Sequence, residues 1–209
     1  MSRATGTMRS YGGRSADERI AERRERLVAA TIEVLAENGE TRTTMSRICT
    51  QAGLSERYFY ESFADLDDAL LTALDEVCTE ILGIAMHTVE HTSGDAEERV
   101  RAVVSTVVDL VVAQPSKAKV AVIHASANPR LRARRHELIG LFGDFVGREG
   151  SVMFGEDAWP PARARLQGIA SIAGFAEIVA AWLSGDVDLD RDGLVEFGQD
   201  LFSTLLRRR

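Results

Sequence analysis

The chain has 209 residues, of which 45% are hydrophobic and 27% are charged. These values are ordinary for a folded globular protein and exclude global disorder. The length allows either a small module joined to a medium-sized helical domain or one larger domain. Averaged over the whole chain, the formal net charge of −7 argues against a polyanionic partner.

The positive charge is concentrated towards the N-terminus. Residues 1–60 contain ten arginines and eight acidic residues, a net charge of +2, whereas the remainder has fifteen basic and twenty-four acidic residues, a net charge of −9. The first sixteen residues contain three arginines and no acid. This asymmetry points to an anion-binding N-terminal end, although a basic tail is also typical of a disordered segment.

Cysteine use and hydropathy predict a cytoplasmic protein with no membrane partner. Cys49 and Cys78 lie far apart and form no CxxC pair, so neither a disulfide framework nor a structural zinc site is expected. No apolar run is expected to approach the length of a transmembrane helix, and the N-terminus lacks the apolar core of a secretory signal.

The pattern of apolar residues predicts an all-α fold of about nine helices. Residues 1–16, rich in Gly, Ser, Thr and Arg, are predicted to form a flexible arm. Glycines and prolines mark the helix ends, and a Gly-rich segment with Pro160 and Pro161 is predicted to be a loop. The helices are predicted over residues 17–38, 44–52, 55–63, 66–91, 95–114, 115–127, 129–146, 162–183 and 190–206.

The most informative segment covers residues 43–63, with the sequence TTMSRICTQAGLSERYFYESF. Two short predicted helices flank a turn at Gly53, which is the layout of a helix-turn-helix. Gly53 can adopt a positive φ, and the Ser55 hydroxyl is expected to cap the second helix. Ile48 and Phe59 are expected to pack on the first helix. A generic helical hairpin is the alternative for this segment taken alone.

Thirteen residues in this region occur at the spacing of a known family. They are Ala30, Leu35, Gly39, Thr43, Thr44, Ile48, Ala52, Gly53, Leu54, Ser55, Phe59, Tyr60 and Phe63. Over about residues 20–75 the chain resembles the tetracycline-repressor (TetR) family, and its length and number of helices agree over the rest. The resemblance implies a DNA-binding domain over residues 17–64 and a ligand-binding and dimerisation domain over residues 65–209. Cys49 replaces a usual alanine, and Leu66 stands where a lysine is common.

The resemblance implies a double-stranded DNA operator as partner. Thr44 and Tyr60 would hold phosphates, whereas Arg57 and Tyr58 would face base edges. Surface packing is an equal alternative for Tyr58. The predicted DNA-binding residues are Arg42, Thr43, Thr44, Arg47, Ser55, Glu56, Arg57, Tyr58 and Tyr60.

The last two predicted helices are expected to form a dimer interface. The eighth helix is apolar nearly all round, which is typical of a helix buried on both sides. The resemblance implies a homodimer through the eighth and ninth helices, as symmetric DNA recognition requires. A central helix of a monomeric bundle is the alternative. The predicted interface residues are Ala170, Gly174, Ile178, Phe197, Leu201 and Leu205.

The resemblance also implies a small-molecule effector among helices four to eight. The candidate lining residues are Met86, His87, Ile123, Phe142, Phe175 and Trp182, and for each of them an ordinary core position is the leading alternative. Their character predicts an apolar or aromatic effector. His87 and His91 have a metal-binding spacing but no third ligand, so no metal or cofactor is predicted. The arginine run at 130–135 is predicted to be a solvated helix face.

The sequence therefore predicts a ligand-responsive repressor that binds a palindromic operator as a dimer. An effector would release it by a population shift, with the fourth helix as a rigid lever. An enzyme is the first alternative, but no catalytic constellation or Gly-rich phosphate loop is evident. The others are a helical binding module without DNA function and an activator or regulator without ligand-induced release.

Overall fold

The computed structural model describes residues 15–126 and 128–208, and in these residues the fold is all-α, as predicted. The helices are α1 Ala16–Asn38, α2 Met45–Ala52, α3 Glu56–Ser62, α4 Leu66–His91, α5 Ala96–Ala113, α6 Pro115–Val122, α7 Pro129–Phe154, α8 Pro161–Ser184 and α9 Arg191–Leu206.

Helix α1 begins inside the segment predicted to be a flexible arm. Residues 1–14 lie outside the described residues, but Ser15 and Ala16 are part of the helix start. The Ser15 hydroxyl accepts the Glu18 N–H at 3.0 Å, and the Glu18 carboxylate accepts the Ser15 N–H at 2.6 Å. This reciprocal pair satisfies two backbone donors that a helix start otherwise leaves open. The predicted arm is therefore wrong for its last two residues.

Helix α7 continues eight residues beyond its predicted end at Val146, through glycines that were assigned to a loop. A Cβ atom at Gly147 would lie 2.8 Å from the Ala164 carbonyl oxygen. A Cβ atom at Gly168 would lie 2.2 Å from the Gly143 carbonyl oxygen. Glycine is needed here because the backbones of α7 and α8 are in contact, so these glycines mark a helix–helix contact instead of a loop.

Helix α6 is shorter than predicted, since it ends at Val122 and a 3-10 turn follows at His124–Ser126. Asn128 has an extended backbone (φ −126°, ψ 165°), and its side chain accepts the Leu131 N–H to cap α7. The helical backbone conformation is also disfavoured for a residue that precedes a proline. The chain must therefore leave the helical conformation before Pro129.

Two large hydrophobic clusters form the interior, and α4 runs between them. The first joins α1, α2, α3 and the first half of α4 to α6 and the start of α7. The second joins α5, α6, α8 and α9. Farther along α4, Ala85 and Val89 pack against Phe145 of α7 in a small third cluster. The three N-terminal helices are thus packed onto the rest of the chain through α4, α6 and α7.

Helix α8 is the one helix in the described residues that is long and apolar enough to span a membrane. This differs from the sequence expectation that no such segment exists. An 18-residue window of α8 has a mean hydropathy of 1.5, and 22% of that window is buried within the single chain. Core helices of soluble proteins pass the same test of length and composition, so the feature is weak support for a membrane span.

The contact between α7 and α8 predicts that Gly168→Ala destabilises the protein. The added methyl group would meet the backbone of Gly143, which cannot move aside as a flexible side chain can. We expect the free energy of unfolding to fall by about 1–3 kcal/mol in urea denaturation at a fixed protein concentration. Gly83→Ala in α4 is the matched control, because its Cβ would meet nothing within 4 Å. That change should raise stability by about 0.5–1 kcal/mol. Equal effects of the two substitutions would contradict the backbone contact.

Candidate nucleic-acid interface and ligand cavity

Helices α2 and α3 form the predicted helix-turn-helix. Gly53 ends α2 in the left-handed conformation at φ +62°, and the Leu54 N–H donates to the Cys49 carbonyl at 2.9 Å. Ile48 and Phe59 are fully buried in the cluster that includes α1. Because these two side chains fix the inner faces of α2 and α3, the opposite face of α3 is turned outward.

The outward face of α3 carries Arg57 and Tyr60, three residues apart. The Arg57 side chain is 83% exposed and Tyr60 is 61% exposed. Arg57 Nε donates to Glu61 Oε1 at 2.9 Å, one turn along the helix. An ion pair this exposed contributes little stability, so the guanidinium can exchange Glu61 for a phosphate or a base edge at small cost. Glu56 is also exposed on this helix.

Tyr58 is half-buried and lies between α1 and α3. The guanidinium carbon of Arg23 lies 4.5 Å from the centre of the Tyr58 ring. Arg24 is placed similarly over Phe63, at 4.8 Å. Two cation–π contacts of this kind help to fix the angle of α3 on α1. This geometry favours the packing alternative for the Tyr58 ring.

Three further predicted DNA-binding residues are exposed around the start of α2. Arg42 Nε donates to the Asn38 carbonyl at 3.1 Å, and Arg47 Nη1 donates to Asn38 Oδ1 at 2.8 Å. Thr44 caps α2, and its hydroxyl accepts the Arg47 N–H at 3.3 Å. The two arginines thus converge on the C-terminal end of α1, which gives this edge a positive surface.

Two predicted DNA-binding residues, Thr43 and Ser55, have surroundings that differ from those expected. Thr43 is 3% exposed, and its hydroxyl donates to the Gly39 carbonyl at 2.7 Å, so it fastens the turn after α1. Ser55 has the extended backbone of a cap residue, but its hydroxyl accepts no hydrogen bond from the first turn of α3. The expected Ser55 cap is therefore wrong, and the exposed hydroxyl stays available to other partners.

Arg130 of α7 partly neutralises the negative charge of the acidic residues at the start of α4. Arg130 Nη1 lies 3.0 Å from Asp67 Oδ2 and 3.7 Å from Asp65 Oδ2. Asp65 also accepts the Asp68 N–H at 2.8 Å and so caps α4. Arg130 therefore offsets negative charge that would repel a phosphate next to α3.

The predicted solvated face at residues 130–135 is wrong for Arg134 and Arg135, whereas Arg130 and Arg132 are exposed. Arg134 Nε lies 2.6 Å from Asp75 Oδ1 of α4, and Arg135 pairs with Glu177 of α8. These pairings link α7 to both neighbours. Sequence spacing could not reveal them, because their acidic partners lie more than forty residues away in the chain.

The C-terminal helices form two partly open apolar pockets that share wall residues, termed the first and the second lobe of the cavity. The first lobe lies among α4, α5, α7, α8 and α9 and has a volume of about 700 Å³ including its mouth. The second lies among α4, α5, α6, α7 and α8 and has a volume of about 770 Å³, again including its mouth. Five residues belong to the walls of both lobes, namely Ile81, Val107, Phe142, Ile172 and Phe175. Nearly all the wall is hydrocarbon, so the cavity suits an apolar molecule.

Of the six predicted ligand-binding residues, Phe142 and Phe175 line this cavity. Met86 is 42% exposed and His87 is exposed, so both lie on the outer face of α4. The His87 and His91 rings stack at 4.0 Å, and the described residues contain no group of three potential metal ligands.

The other two candidates also lie outside the cavity wall. Ile123 is half-buried in the turn after α6. The indole N–H of Trp182 donates to the Leu189 carbonyl at 2.7 Å, so this ring fastens the connection to α9. Sequence reasoning missed the aliphatic wall from α4 and α5. The apolar residues of α4 and α5 recur every three or four positions, which indicates a buried helix face. A helix face that lines a cavity and one that packs in a filled core have the same pattern. That wall contains Ile81, Ala85, Val89, Val100, Val103, Val104 and Val107.

Both cysteines are neutral thiols in the folded chain. Burial raises the pKa of Cys78, in the wall of the second lobe, to about 12, and the nearby Asp75 carboxylate adds to this shift. Burial, with Glu56, also raises the pKa of Cys49. At neutral pH neither thiol brings charge into the helix-turn-helix or the cavity.

The outer face of α8 and α9 is apolar and partly open to solvent. Ala170 is exposed and Phe197 is 39% exposed, whereas the other predicted interface residues are half-buried. Leu166, one turn before Ala170, was not predicted and is 64% exposed. These side chains form an uncovered surface next to the second hydrophobic cluster.

Residues 27–71 match the family described as bacterial regulatory proteins, tetR family. This range covers the helix-turn-helix, the second half of α1 and the first six residues of α4. The N-terminal part of the chain is therefore similar to the TetR family. No protein of curated function matches it in sequence.

Solved structures of bacterial regulators share the fold over nearly their whole length. The fatty acid degradation regulator FadR from Bacillus halodurans has a TM-score of 0.76 and 20% identity, covering 90% of this chain and 97% of that chain. The transcriptional regulator FadR from Bacillus subtilis, solved with stearoyl-CoA, has a TM-score of 0.69 and 21% identity, covering 87% and 97%. A TetR family regulator from Marinobacter aquaeolei VT8 has a TM-score of 0.66 and 18% identity, covering 92% and 100%.

Cys49 and Leu66, the two departures from the TetR sequence pattern, are both packed inside. Cys49 is 5% exposed and belongs to the first hydrophobic cluster. Leu66 is half-buried against the same cluster. The leucine therefore adds packing at the start of α4, where a lysine would reach for the DNA backbone.

Proposed function

We propose that this chain is a ligand-responsive repressor of the TetR family, which binds a palindromic operator as a homodimer and is released by a small apolar effector. Residues 17–64 bind DNA, residues 65–209 bind the effector and the second subunit, and the protein acts in the cytoplasm without catalysis. The observation that carries this proposal is that one helix, α4, connects the exposed α3 to the wall of a hydrocarbon-lined cavity.

The proposed DNA contacts come from the exposed side chains of α2 and α3. Arg57 and Tyr60 face outward on a helix short enough to enter a major groove. Arg57 can bind guanine with two hydrogen bonds, and Tyr60 can donate to a phosphate. Arg42, Thr44 and Arg47 then contact the backbone beside the groove, and this contact should weaken as salt is raised.

Tyr60→Ala should weaken operator binding while the dimer stays intact. Loss of one hydrogen bond to a charged phosphate in each subunit should cost on the order of tenfold or more in affinity. The measurement is fluorescence anisotropy with a duplex selected by the wild-type protein from a random pool. Arg148→Ala, an exposed arginine on α7, is the control and should bind like wild type. Unchanged binding by the Tyr60 variant would show that α3 does not read the duplex.

The proposed dimer is supported by the open apolar face of α8 and α9. A helix that is apolar nearly all round needs cover on two sides, and the single chain supplies cover on one. An operator with two half-sites requires two copies of α3 in a fixed arrangement. The proposed contacts are Ala170, Gly174, Ile178, Phe197, Leu201 and Leu205, joined by Leu166.

Phe197→Glu should dissociate the dimer. A carboxylate buried without a partner at a subunit interface should raise the dissociation constant about 100-fold or more. Sedimentation velocity over a dilution series measures this change. Val112→Glu on α5 is the matched control, because Val112 is an exposed apolar residue outside the proposed interface. If both variants remain dimers, a different surface joins the subunits.

The proposed effector contains a hydrocarbon chain. The cavity wall offers carbon atoms almost throughout, so binding depends on removing apolar surface from water. Two proteins with the same fold are described as a regulator of fatty acid degradation and a complex with stearoyl-CoA. Both agree with a long apolar ligand in the cavity of this chain.

Release is proposed to follow from the position of α4. Ala85 and Val89 line the first lobe, whereas Leu70 and Leu74 are buried against the DNA-binding helices. A ligand that prefers a wider cavity shifts the population towards a state in which α4, and with it α3, is displaced. In the dimer, the spacing of the two α3 helices then no longer fits the operator.

Ala85→Phe should abolish the response to an apolar ligand without loss of DNA binding. The ring would occupy the first lobe, so we expect the affinity for dodecan-1-ol, measured by calorimetry, to fall about tenfold or more. Met86→Phe places the same ring on the outer face of α4 and should leave that affinity unchanged. Equal loss in the two variants would contradict the assigned cavity.

A further inference from the structure

We propose that the effector is a single-chain amphiphile with an anionic headgroup, and that Arg135 binds this headgroup in exchange for Glu177. The inference rests on the proposed function, because it names the chemical class that the apolar cavity accepts. It adds a residue that determines specificity and an orientation for the ligand.

Arg135 is a charged side chain placed in an apolar wall. Its side chain is 15% exposed, and it is the one formally charged residue lining the second lobe in the part of the chain that the structure describes. A guanidinium does not lose its proton in proteins, so the wall of this lobe always includes a residue with a fixed positive charge. Such a charge is costly to bury unless a hydrogen-bonding partner accompanies it.

The partner that Arg135 has in the free protein is replaceable. Glu177 of α8 pairs with Arg135 Nη2, yet the Glu177 side chain is 66% exposed. Water can solvate the Glu177 carboxylate after the pair separates, so exchange leaves no unpaired buried anion. A carboxylate or phosphate at the end of a bound chain would arrive on the cavity side and could accept two hydrogen bonds from the guanidinium.

The other end of the cavity disfavours an anion. Glu149 is the one charged residue in the wall of the first lobe among the residues described. It lies fourteen residues after Arg135 on α7, which corresponds to about 21 Å along the helix axis. An anionic headgroup near Glu149 would meet a like charge, and a cationic headgroup near Arg135 would do the same. For an anionic headgroup, Arg135 is therefore the favourable end, and the chain extends into the first lobe.

This position also connects the headgroup to the DNA-binding helices. Arg135 follows Arg134, which pairs with Asp75 of α4, and one turn earlier Arg130 pairs with Asp67. An anion that draws Arg135 away from α8 acts on the same stretch of α7 that is tied to α4. The headgroup and the chain thus act on α4 from two directions.

The ligand class can be tested with four probes that share a twelve-carbon chain. Laurate carries a carboxylate, lauroyl-CoA carries phosphates, dodecan-1-ol is neutral and dodecyltrimethylammonium is cationic. Their affinities for the full-length wild-type protein are measured by calorimetry below the concentrations at which they form micelles. We expect at least one anionic probe to bind about tenfold or more tightly than dodecan-1-ol, and the cation to bind most weakly. Comparison of laurate with lauroyl-CoA separates a free acid from a carrier thioester.

Variants then assign the headgroup site. Arg135→Gln should weaken the preferred anionic probe about tenfold or more and leave dodecan-1-ol unchanged. Glu177→Gln should strengthen anionic binding several-fold, because it removes the competing carboxylate, whereas a purely structural ion pair would predict weaker binding. Arg132→Gln, an exposed neighbour on α7, is the control and should bind all four probes like wild type. If Arg135→Gln fails to fold, Glu177→Gln, at an exposed position, still decides the question.

The outcomes distinguish this inference from the proposed function. If dodecan-1-ol binds and releases DNA as well as the anionic probes do, or if Glu177→Gln weakens anionic binding, the headgroup assignment is wrong and the apolar effector remains. If none of the four probes binds, the proposed hydrocarbon effector itself is wrong.

Discussion

Helix α4 is packed into two interiors at once, and the proposed connection between DNA binding and ligand binding depends on this double burial. Leu70, Ala73, Leu74 and Val77 fill the cluster around the helix-turn-helix, whereas Ala85 and Val89 face the cavity and Phe145. Since packed interiors are nearly incompressible, a ligand that widens the cavity cannot be absorbed locally and must move the helix or its neighbours. Because α4 extends from the cavity to the helix-turn-helix, its displacement also moves α3.

Ion pairs surround this apolar arrangement and have a different role. Arg130 and Arg134 attach α7 to α4 at partly exposed positions, where an isolated pair adds little stability. Their contribution is positional, because they fix which turn of α7 faces which turn of α4. Lys117 of α6 makes a comparable link to Glu80 of α4 at 2.5 Å. Burial of apolar surface stabilises the fold, and these charges select one alignment of its helices.

The sequence was most informative where the signals are local. The cap at Thr44, the turn at Gly53 and both ends of α4 follow from residues within a few positions of one another. Three features depend on the tertiary structure and could not be predicted. Gly147 looks the same in a loop and in a helix contact, Ala85 and Met86 are neighbours on opposite sides of α4, and Arg135 finds its partner only when α7 and α8 pack together. Of the six candidate ligand-binding residues, two line the cavity and four lie outside its wall, whereas the exposed residues of the helix-turn-helix lie largely where its pattern placed them.

Helix α8 shows how one apolar sequence can serve two surfaces. Gly168 lets its backbone approach α7, so small residues are required on the inner side. On the outer side Leu166 stays 64% exposed, although nothing in the contact with α7 requires a large apolar residue there. Exposure of such side chains along a whole helix face costs free energy in water unless another surface covers it. The apolar character of α8 makes it resemble a membrane span. A second copy of α8 and α9 that covers this face would explain that character without a membrane. The proposed dimer would give the helix the second apolar neighbour that its composition demands.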